Sequence, residues 1–344
     1  MATLADVARL AGVTKATVSY VINKKGRVSE QTRRRVEEAI RLLDYRPNLL
    51  ARGLADGRTR ILALVINSIT NPFYAEFADD VQAAARERGY YLLLYSSAQS
   101  DHETSQEALS HLYSLIDGLL VTKSAVANSE VQRAAQHAVP VVLCLGWTGA
   151  EQAGLFSLVY YDHFRAGKLA AEYLVQLGHR DIGVLLPEGH HSLRLEGFRS
   201  ALEEAGVTIT SLRVIFCPDD TIQSGYRAAQ SLLSEPGRPT AVFATNDLLA
   251  IGAMDATVDA GLRVPGDLSV VGFDDIQLAS QVRPSLTSVA LPRKELAVKA
   301  IELLAEHIEG KDGKGENPNP LPCQIMLTPH LVVRQSTAPP SYSD

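Results

Sequence analysis

The sequence predicts an α/β protein in three parts: an N-terminal helix-turn-helix head of three helices, a short hinge, and a two-lobed body with doubly wound parallel sheets. Three observations carry this. Residues 4–54 show helical periodicity with capping residues and no strand-like run. Beyond residue 60, short runs rich in Val, Ile and Leu alternate with amphipathic helical stretches, as in strands covered on both faces. Charge divides at the same place: residues 1–60 carry thirteen Lys and Arg against six Asp and Glu, a balance of +7 that leaves −13 for the rest of a chain whose net charge is −6.

In the head, Leu4, Val7, Ala8, Leu10 and Ala11 recur at helical spacing, and Gly12 supplies the backbone freedom of a tight turn. Thr14 is placed as N-cap of the second helix. Val18 and Val21 face inward there, which leaves Lys15, Ala16, Ser19 and Tyr20 on the opposite stripe. Ser29 caps a third helix whose Val36, Ile40 and Leu43 complete a small core, with Arg33, Arg34 and Arg35 crowding its first turn. Two helices joined by a glycine turn, on a basic end of an acidic chain, imply double-stranded DNA as the partner. The acidic remainder is repelled by phosphate, so attraction concentrates at the head.

Residues 46–60, RPNLLARGLADGRTR, read as hinge and linker. Pro47 favours a helix start, but a stretch of about eight residues falls short of the roughly 12–15 at which isolated helices become marginal. Gly53 costs about 1 kcal/mol more than Ala there. Alone, the segment is expected to be largely unfolded.

Eight apolar runs follow, at 61–67, 91–97, 117–122, 139–145, 181–186, 212–217, 240–245 and 268–273. They fall into two groups of four divided near Tyr161 and Asp162. The expected boundaries are 1–47 for the head, 48–60 for the hinge and 61–336 for the body. The first lobe takes about 61–161 plus 290–322, the second about 162–289 plus 323–336, and 337–344 forms a disordered tail. Open α/β sheets bind ligands beyond their strand carboxyl ends, so the cleft between lobes is the expected ligand site.

With 46% hydrophobic residues, the chain is long enough for a large core. No apolar run approaches the roughly 20 residues of a membrane span, and the amino terminus does not resemble a signal peptide; a cytoplasmic protein is expected. Cys144, Cys217 and Cys323 lie far apart without metal-ligand spacing and are read as small core residues. G-x-S-x-G, H-E-x-x-H, a P-loop and G-x-G-x-x-G after a strand are all missing, so no catalysis is expected. His190 and His191 are adjacent on a loop and point apart, and His179 is read as ordering the turn before a strand. Neither a metal nor a cofactor is expected.

Several segments in order, NPFYAEF (71–77), GHRDIGVL (178–185), RLEGFRSAL (194–202), TNDLLAIGAM (245–254), GLRVPGDLSVVGFDD (261–275) and HLVVRQST (330–337), together with the head, resemble the LacI/GalR family of transcription regulators from Thr3 to about Ser336. The resemblance implies a hinge helix and a periplasmic-binding-protein-like body, in a sequence-specific repressor, a homodimer on a palindromic operator, whose DNA affinity is controlled by a small ligand. It implies that paired hinge helices fold in the minor groove, with Leu54 as an apolar wedge and Ala51 small enough for close approach. Lys15 would donate to guanine O6/N7 and Ala16 contact a thymine methyl. Tyr20 stands where many relatives place Arg, exchanging a bidentate fork for one hydroxyl and a ring. Thr14, Ser19, Asn23, Thr32 and Arg33 would contact phosphates.

In the body the resemblance points to Asn71, Phe73, Tyr74, Ser97, Lys123 and Trp147 on the first lobe, and to Asp162, Arg194, Asn246 and Asp274 on the second. Amides, carboxylates and a guanidinium beside aromatic rings suit a polyhydroxylated ligand, read as a sugar. Asp220 stands where some sugar-sensing relatives have a stacking Trp. Two alternatives remain open: a sugar-binding transport-type protein, which needs an export signal, and a regulator using a purine corepressor. The tail from Ala338 has no heptad repeat to build a tetramer.

Overall fold

The chain divides into two units, residues 1–60 and 61–344. The computed structural model describes residues 2–22, 26, 28–46, 58–97, 110–122, 128–145, 156–188, 192–207, 212–311 and 321–341. Asn23, Ala51, Leu54, Lys123, Trp147, His190 and His191, and with them the hinge helix, lie outside the described residues.

The head comprises α1 (Leu4–Ala11), α2 (Lys15–Ile22) and α3 (Glu30–Leu42). Thr3 and Asp6 form a capping box at the start of α1, the Asp6 N–H donating to Thr3 Oγ1 at 3.3 Å and the Thr3 N–H to Asp6 Oδ2 at 3.0 Å. Gly12 ends the helix at φ +63°, a left-handed conformation that glycine holds without penalty. Val7, Ala8, Ala11, Val18, Val21, Val36 and Ala39 are buried together, with Ile40 and Leu43 packed against them. Leu10 departs from the expected core: it is 53% exposed, because Val7 and Ala11 already occupy the inward face of α1.

The body contains β1 (Ile61–Ile66), β2 (Tyr91–Ser96), β3 (Gly118–Thr122), β4 (Val141–Cys144), β5 (Ser157–Tyr161), β6 (Ile182–Pro187), β7 (Arg213–Cys217), β8 (Ala241–Ala244), β9 (Ser269–Asp274), β10 (Thr287–Ala290), β11 (Gln324–Leu327) and β12 (His330–Val332). They form two sheets, ordered β11-β5-β4-β3-β1-β2 and β12-β10-β9-β8-β6-β7. Strand pairing is parallel except between β10 and β12. The helices are α4 (Pro72–Glu87), α5 (Asn128–Gln136), α6 (His163–Gln176), α7 (Ser192–Glu204), α8 (Ile222–Ser234), α9 (Asp247–Asp259), α10 (Gln277–Gln281) and α11 (Arg293–Lys311).

All eight apolar runs are strands. Four further strands escaped the pattern, for physical reasons that differ. β10 reads TSVA, yet Thr287 and Ser288 are buried because their hydroxyls are hydrogen-bonded inside the sheet. β11 and β12 are partly exposed edge strands of four and three residues, too short to show a period. β5 is a five-residue strand bounded by the domain crossover at Tyr161.

After β10 the chain returns to the first sheet, where α11 packs on α4 and on β3, β4 and β5. β11 then pairs with β5 in that same sheet, and β12 with β10 in the other. The last crossover therefore lies between Leu327 and His330, not at residue 323 as expected. The tail from 337 was expected to be disordered, but residues 337–341 are fastened: Tyr173 Oη and Thr337 Oγ1 lie 2.8 Å apart, the Ala338 carbonyl accepts from Ser269 Oγ at 2.9 Å, and Ser341 Oγ donates to the Gly266 carbonyl at 2.7 Å. His179 is fully buried beneath this segment, its Nε2 2.9 Å from the Ala338 carbonyl and Nδ1 2.8 Å from Thr240 Oγ1.

Cys144 and Cys217 are buried as expected, and burial pushes the Cys217 thiol up to about 11. Cys323 is exposed instead, at the start of the edge strand β11. Among the described residues, no helix is long and apolar enough to cross a membrane.

Candidate functional site

The head presents the expected surface. The Thr17 N–H donates to Thr14 Oγ1 at 3.2 Å, so Thr14 caps α2. Lys15, Ala16 and Tyr20 are exposed opposite buried Val18 and Val21, and Ser19 is half-buried. The Tyr20 ring lies over Gly26, where a Cβ would come within 3.5 Å of it. Thr32 Oγ1 is 2.8 Å from the Ser29 cap, and Arg33 and Arg34 pair with Glu30 at 4.0 and 3.6 Å. Such exposed pairs are worth a few tenths of a kcal/mol and yield readily to phosphate. Arg35 turns inward instead, donating to the Ala11 carbonyl at 2.6 Å and the Gly12 carbonyl at 3.1 Å, and so ties α3 to the end of α1. Its position in a run of three arginines concealed this.

In the body, residues after the strands of both sheets meet. Asn71 follows β1 and caps α4, its Oδ1 accepting from the Phe73 N–H at 3.0 Å, while its Nδ2 donates to Asp220 Oδ2 at 2.8 Å. Asp220 follows β7 in the second lobe. Asn246 caps α9 by accepting from the Leu249 N–H at 2.7 Å and donates from Nδ2 to the Asp220 carbonyl at 3.4 Å. A second bridge joins the lobes where the Gln277 N–H donates to Glu76 Oε1 at 2.9 Å. Arg293 holds Glu76 from behind and bonds Asp80 at 2.6 Å.

Arg194, on the first turn of α7, is only 4% exposed. It donates to the Thr245 carbonyl, to His163 Nδ1 at 3.4 Å and to Tyr161 Oη at 3.5 Å, and its guanidinium carbon lies 3.7 Å from the centre of the Phe273 ring. Glycines place it there. α6 and α7 cross so closely that a Cβ on Gly167 would sit 1.9 Å from the Arg194 carbonyl oxygen, and one on Gly197 1.9 Å from that of Phe164.

Asp274 ends β9 at φ +106°, and Asp275 follows at φ +52°. Two successive side-chain-bearing residues in left-handed conformation are costly, of order 1–3 kcal/mol each, and such outliers cluster at functional sites. Burial raises the Asp274 carboxyl well above the carboxylate range; Arg194 opposes this, and Asp247 and Asp220 reinforce it. Burial likewise raises the Tyr161 hydroxyl, with Arg194 again opposing.

The other candidates are placed less pointedly. Phe73 is 5% exposed and belongs to the core, with half-buried Tyr74 edge-on to it at 5.5 Å. Ser97 Oγ turns back to the Ile66 carbonyl at 3.3 Å. Asp162 caps α6, accepting from the Arg165 N–H at 2.8 Å. Among the described residues no group of three or more His, Cys, Asp or Glu is arranged to hold a metal ion.

Residues 3–48 match the family of bacterial regulatory proteins called the lacI family, and residues 171–337 match the periplasmic binding protein-like domain. The ribose operon repressor of Escherichia coli K12 is 37% identical over 341 residues, covering 98% of this chain and 100% of the relative. The chain belongs to the LacI family. Among solved structures, the lac repressor dimer bound to operator and the anti-inducer ONPF superposes with a TM-score of 0.82 at 28% identity, covering 98% of this chain and 99% of that one. A LacI-family regulator from Enterococcus faecium with bound ribose superposes at 0.72 and 28% identity, over 82% of this chain and 100% of that one.

This LacI-family protein is thus a DNA-binding transcriptional repressor with a periplasmic-binding-protein-like body, and not an enzyme. Sequence reasoning missed several residues that meet between the lobes. Asp220 was noted only for the Trp it replaces, yet it joins Asn71 to Asn246. Tyr161 was read as a domain divider; it ends β5 beside Arg194. Glu76, Arg293 and Gln277 carried no local signal, since Glu76 meets Gln277 across 201 positions and Arg293 across 217.

Proposed function

We propose that this repressor senses a neutral sugar, with D-ribose the leading candidate, between the lobes of its body, and that sugar binding weakens its hold on a palindromic operator contacted by a homodimer. The observation carrying this reading is the convergence of Asn71, Asp220, Asn246, Arg194 and Asp274 from both lobes at the strand ends. Amides donate and accept, carboxylates accept and a guanidinium donates, matching hydroxyls that do both. With the Asp220 carboxylate set against the Arg194 guanidinium and Asp274 held neutral by burial, the described part of the site has no surplus positive charge and favours an uncharged ligand over a phosphorylated one. The relatives' ribose operon and bound ribose support the pentose.

A ligand touching both lobes favours whichever arrangement gives it both sets of contacts, and it shifts DNA affinity only by its differential affinity for the two arrangements. On the head, Lys15 and Ala16 read bases while Thr14, Ser19, Thr32 and Arg33 position it on phosphates. The test is thermal unfolding of the full chain with D-ribose, other sugars and hypoxanthine. A ligand at about 100 times its Kd adds about 2.7 kcal/mol, a shift of a few degrees. A shift with hypoxanthine and none with any sugar would replace the sugar reading by the purine one.

A further inference from the structure

We propose that Asp247 is a positioning residue of the interlobe site, its carboxylate clamping the turn after β9 so that Asp274 is held facing Arg194. The inference rests on the reading of Asp274 as a ligand-site residue. Asp247 is the first residue of α9, directly after the Asn246 cap, and is 1% exposed. Its Oδ2 accepts from the Ile276 N–H at 2.9 Å, and its Oδ1 accepts from Ser288 Oγ at 2.6 Å. Ser288 Oγ in turn accepts from the Asp275 N–H at 3.1 Å. The two backbone N–H groups that follow Asp274 therefore both end on one carboxylate, one directly and one through a hydroxyl. They belong to the very segment in which Asp274 and Asp275 stand at positive φ.

A strained turn of this kind persists only where its surroundings over-determine it. Asp247 supplies that constraint from below, and Arg334 from the side, pairing with Asp275 Oδ1 at 2.7 Å and donating to the Leu286 carbonyl at 2.7 Å. Gly272 leaves room for the carboxylate, since a Cβ there would sit 2.2 Å from Asp247 Oδ1. An acid in a helix's first turn can be explained by the helix dipole alone, but a surface carboxylate would serve that purpose. Burying it is costly unless its oxygens are bonded. The charged groups bearing on it are Asp274 and Asp275, both of like sign, with Arg334 reaching it only through Asp275.

Hydrogen exchange of the ligand-free full chain, combined with D-ribose calorimetry, tests this. In Asp247→Ala, exchange at the amides of residues 275 and 276 is expected to rise at least tenfold relative to residues 241–244 of β8, and D-ribose affinity to fall at least tenfold. Asp247→Asn keeps an acceptor for the Ile276 N–H and should restore most of the protection there. Where Asp247→Ala does not fold, Ser288→Ala removes one arm of the clamp and should selectively raise exchange at Asp275. Parent-like exchange at 275 and 276 in a variant with intact β8 protection overturns the proposal. Because exchange is read without ligand, a parent chain giving no heat with D-ribose counts against the sugar reading alone.

Discussion

Asn71 and Asp220, 149 positions apart and on different lobes, are joined by a hydrogen bond of 2.8 Å from Nδ2 to Oδ2. The same Asn71 side chain caps α4 through its other end. One residue thus couples the start of a first-lobe helix to a second-lobe loop. A bond to a charged acceptor is worth about 1.5–3 kcal/mol.

Removing that bond should loosen the ligand-free body. Asp220→Ala is expected to increase the radius of gyration in solution scattering and to lower the melting temperature by a few degrees. Asn71→Asp keeps the acceptor that caps α4 but sets carboxylate against carboxylate, and should open the lobes further. Unchanged scattering in both variants would mean that the bridge does not govern lobe spacing.

Gly167→Ala should cost more than about 3 kcal/mol, because its Cβ would enter the van der Waals shell of the Arg194 carbonyl and force α6 and α7 apart. Gly89 gives the control. It stands at φ +76° with nothing near its would-be Cβ, so Gly89→Ala should cost only about 1 kcal/mol of backbone strain. Equal losses in denaturant midpoints would refute the close crossing.

Arg194→Ala should abolish the sugar response and also destabilise the body by roughly 2–4 kcal/mol, since it strips Tyr161 and Thr245 of a donor and removes a positive charge that acts on Asp274. At temperatures well below unfolding, DNA binding by the head should persist. A variant that responds to the sugar at the parent's concentration would place the ligand elsewhere.

The pH dependence of stability follows from Asp247, whose carboxyl burial pushes up to about 7 against the opposing bonds from Ser288 and Ile276. Its folded value exceeds its unfolded one, so the native state binds the proton more tightly. Asp247 therefore costs stability as pH rises from about 4 to about 7, and the full cost remains above that. His179 and His307, lowered by burial, act in the opposite sense, losing stability as pH falls below about 6.5. Subtracting the parent's melting curve from that of Asp247→Asn cancels the histidines. The variant's relative stability should climb between pH 5 and pH 8; a flat difference would contradict the assignment.

Leu54→Ala should weaken operator binding by about 2 kcal/mol, the scale of truncating a buried apolar side chain, while leaving sugar affinity unchanged. Mobility shifts on a palindromic operator measure it, and equal affinities would rule out the wedge.

The head and the eight principal strands were legible in the sequence because their causes are local. Thr14 and Ser29 cap the helices that follow them within three residues, and runs such as ILALVI owe their burial to their own composition. Thr287 and Ser288 hid β10 because partners far along the chain satisfy their hydroxyls, among them Asp247, Thr337 and the Arg334 N–H.

The sequence by itself determined a basic helix-turn-helix head and an α/β body of two lobes, since periodicity, caps and charge all act over a few residues, and its ordered segments carried the resemblance to the family. Only the tertiary structure decided that Arg35 ties α3 to α1, that Ala338 seals His179, that Asp220 bonds Asn71, and that Asp247 bonds the turn after Asp274. Those interactions join side chains to backbone or side-chain groups 24 to 159 positions away, and the polarity of one partner does not specify the other until the fold brings them within hydrogen-bonding distance.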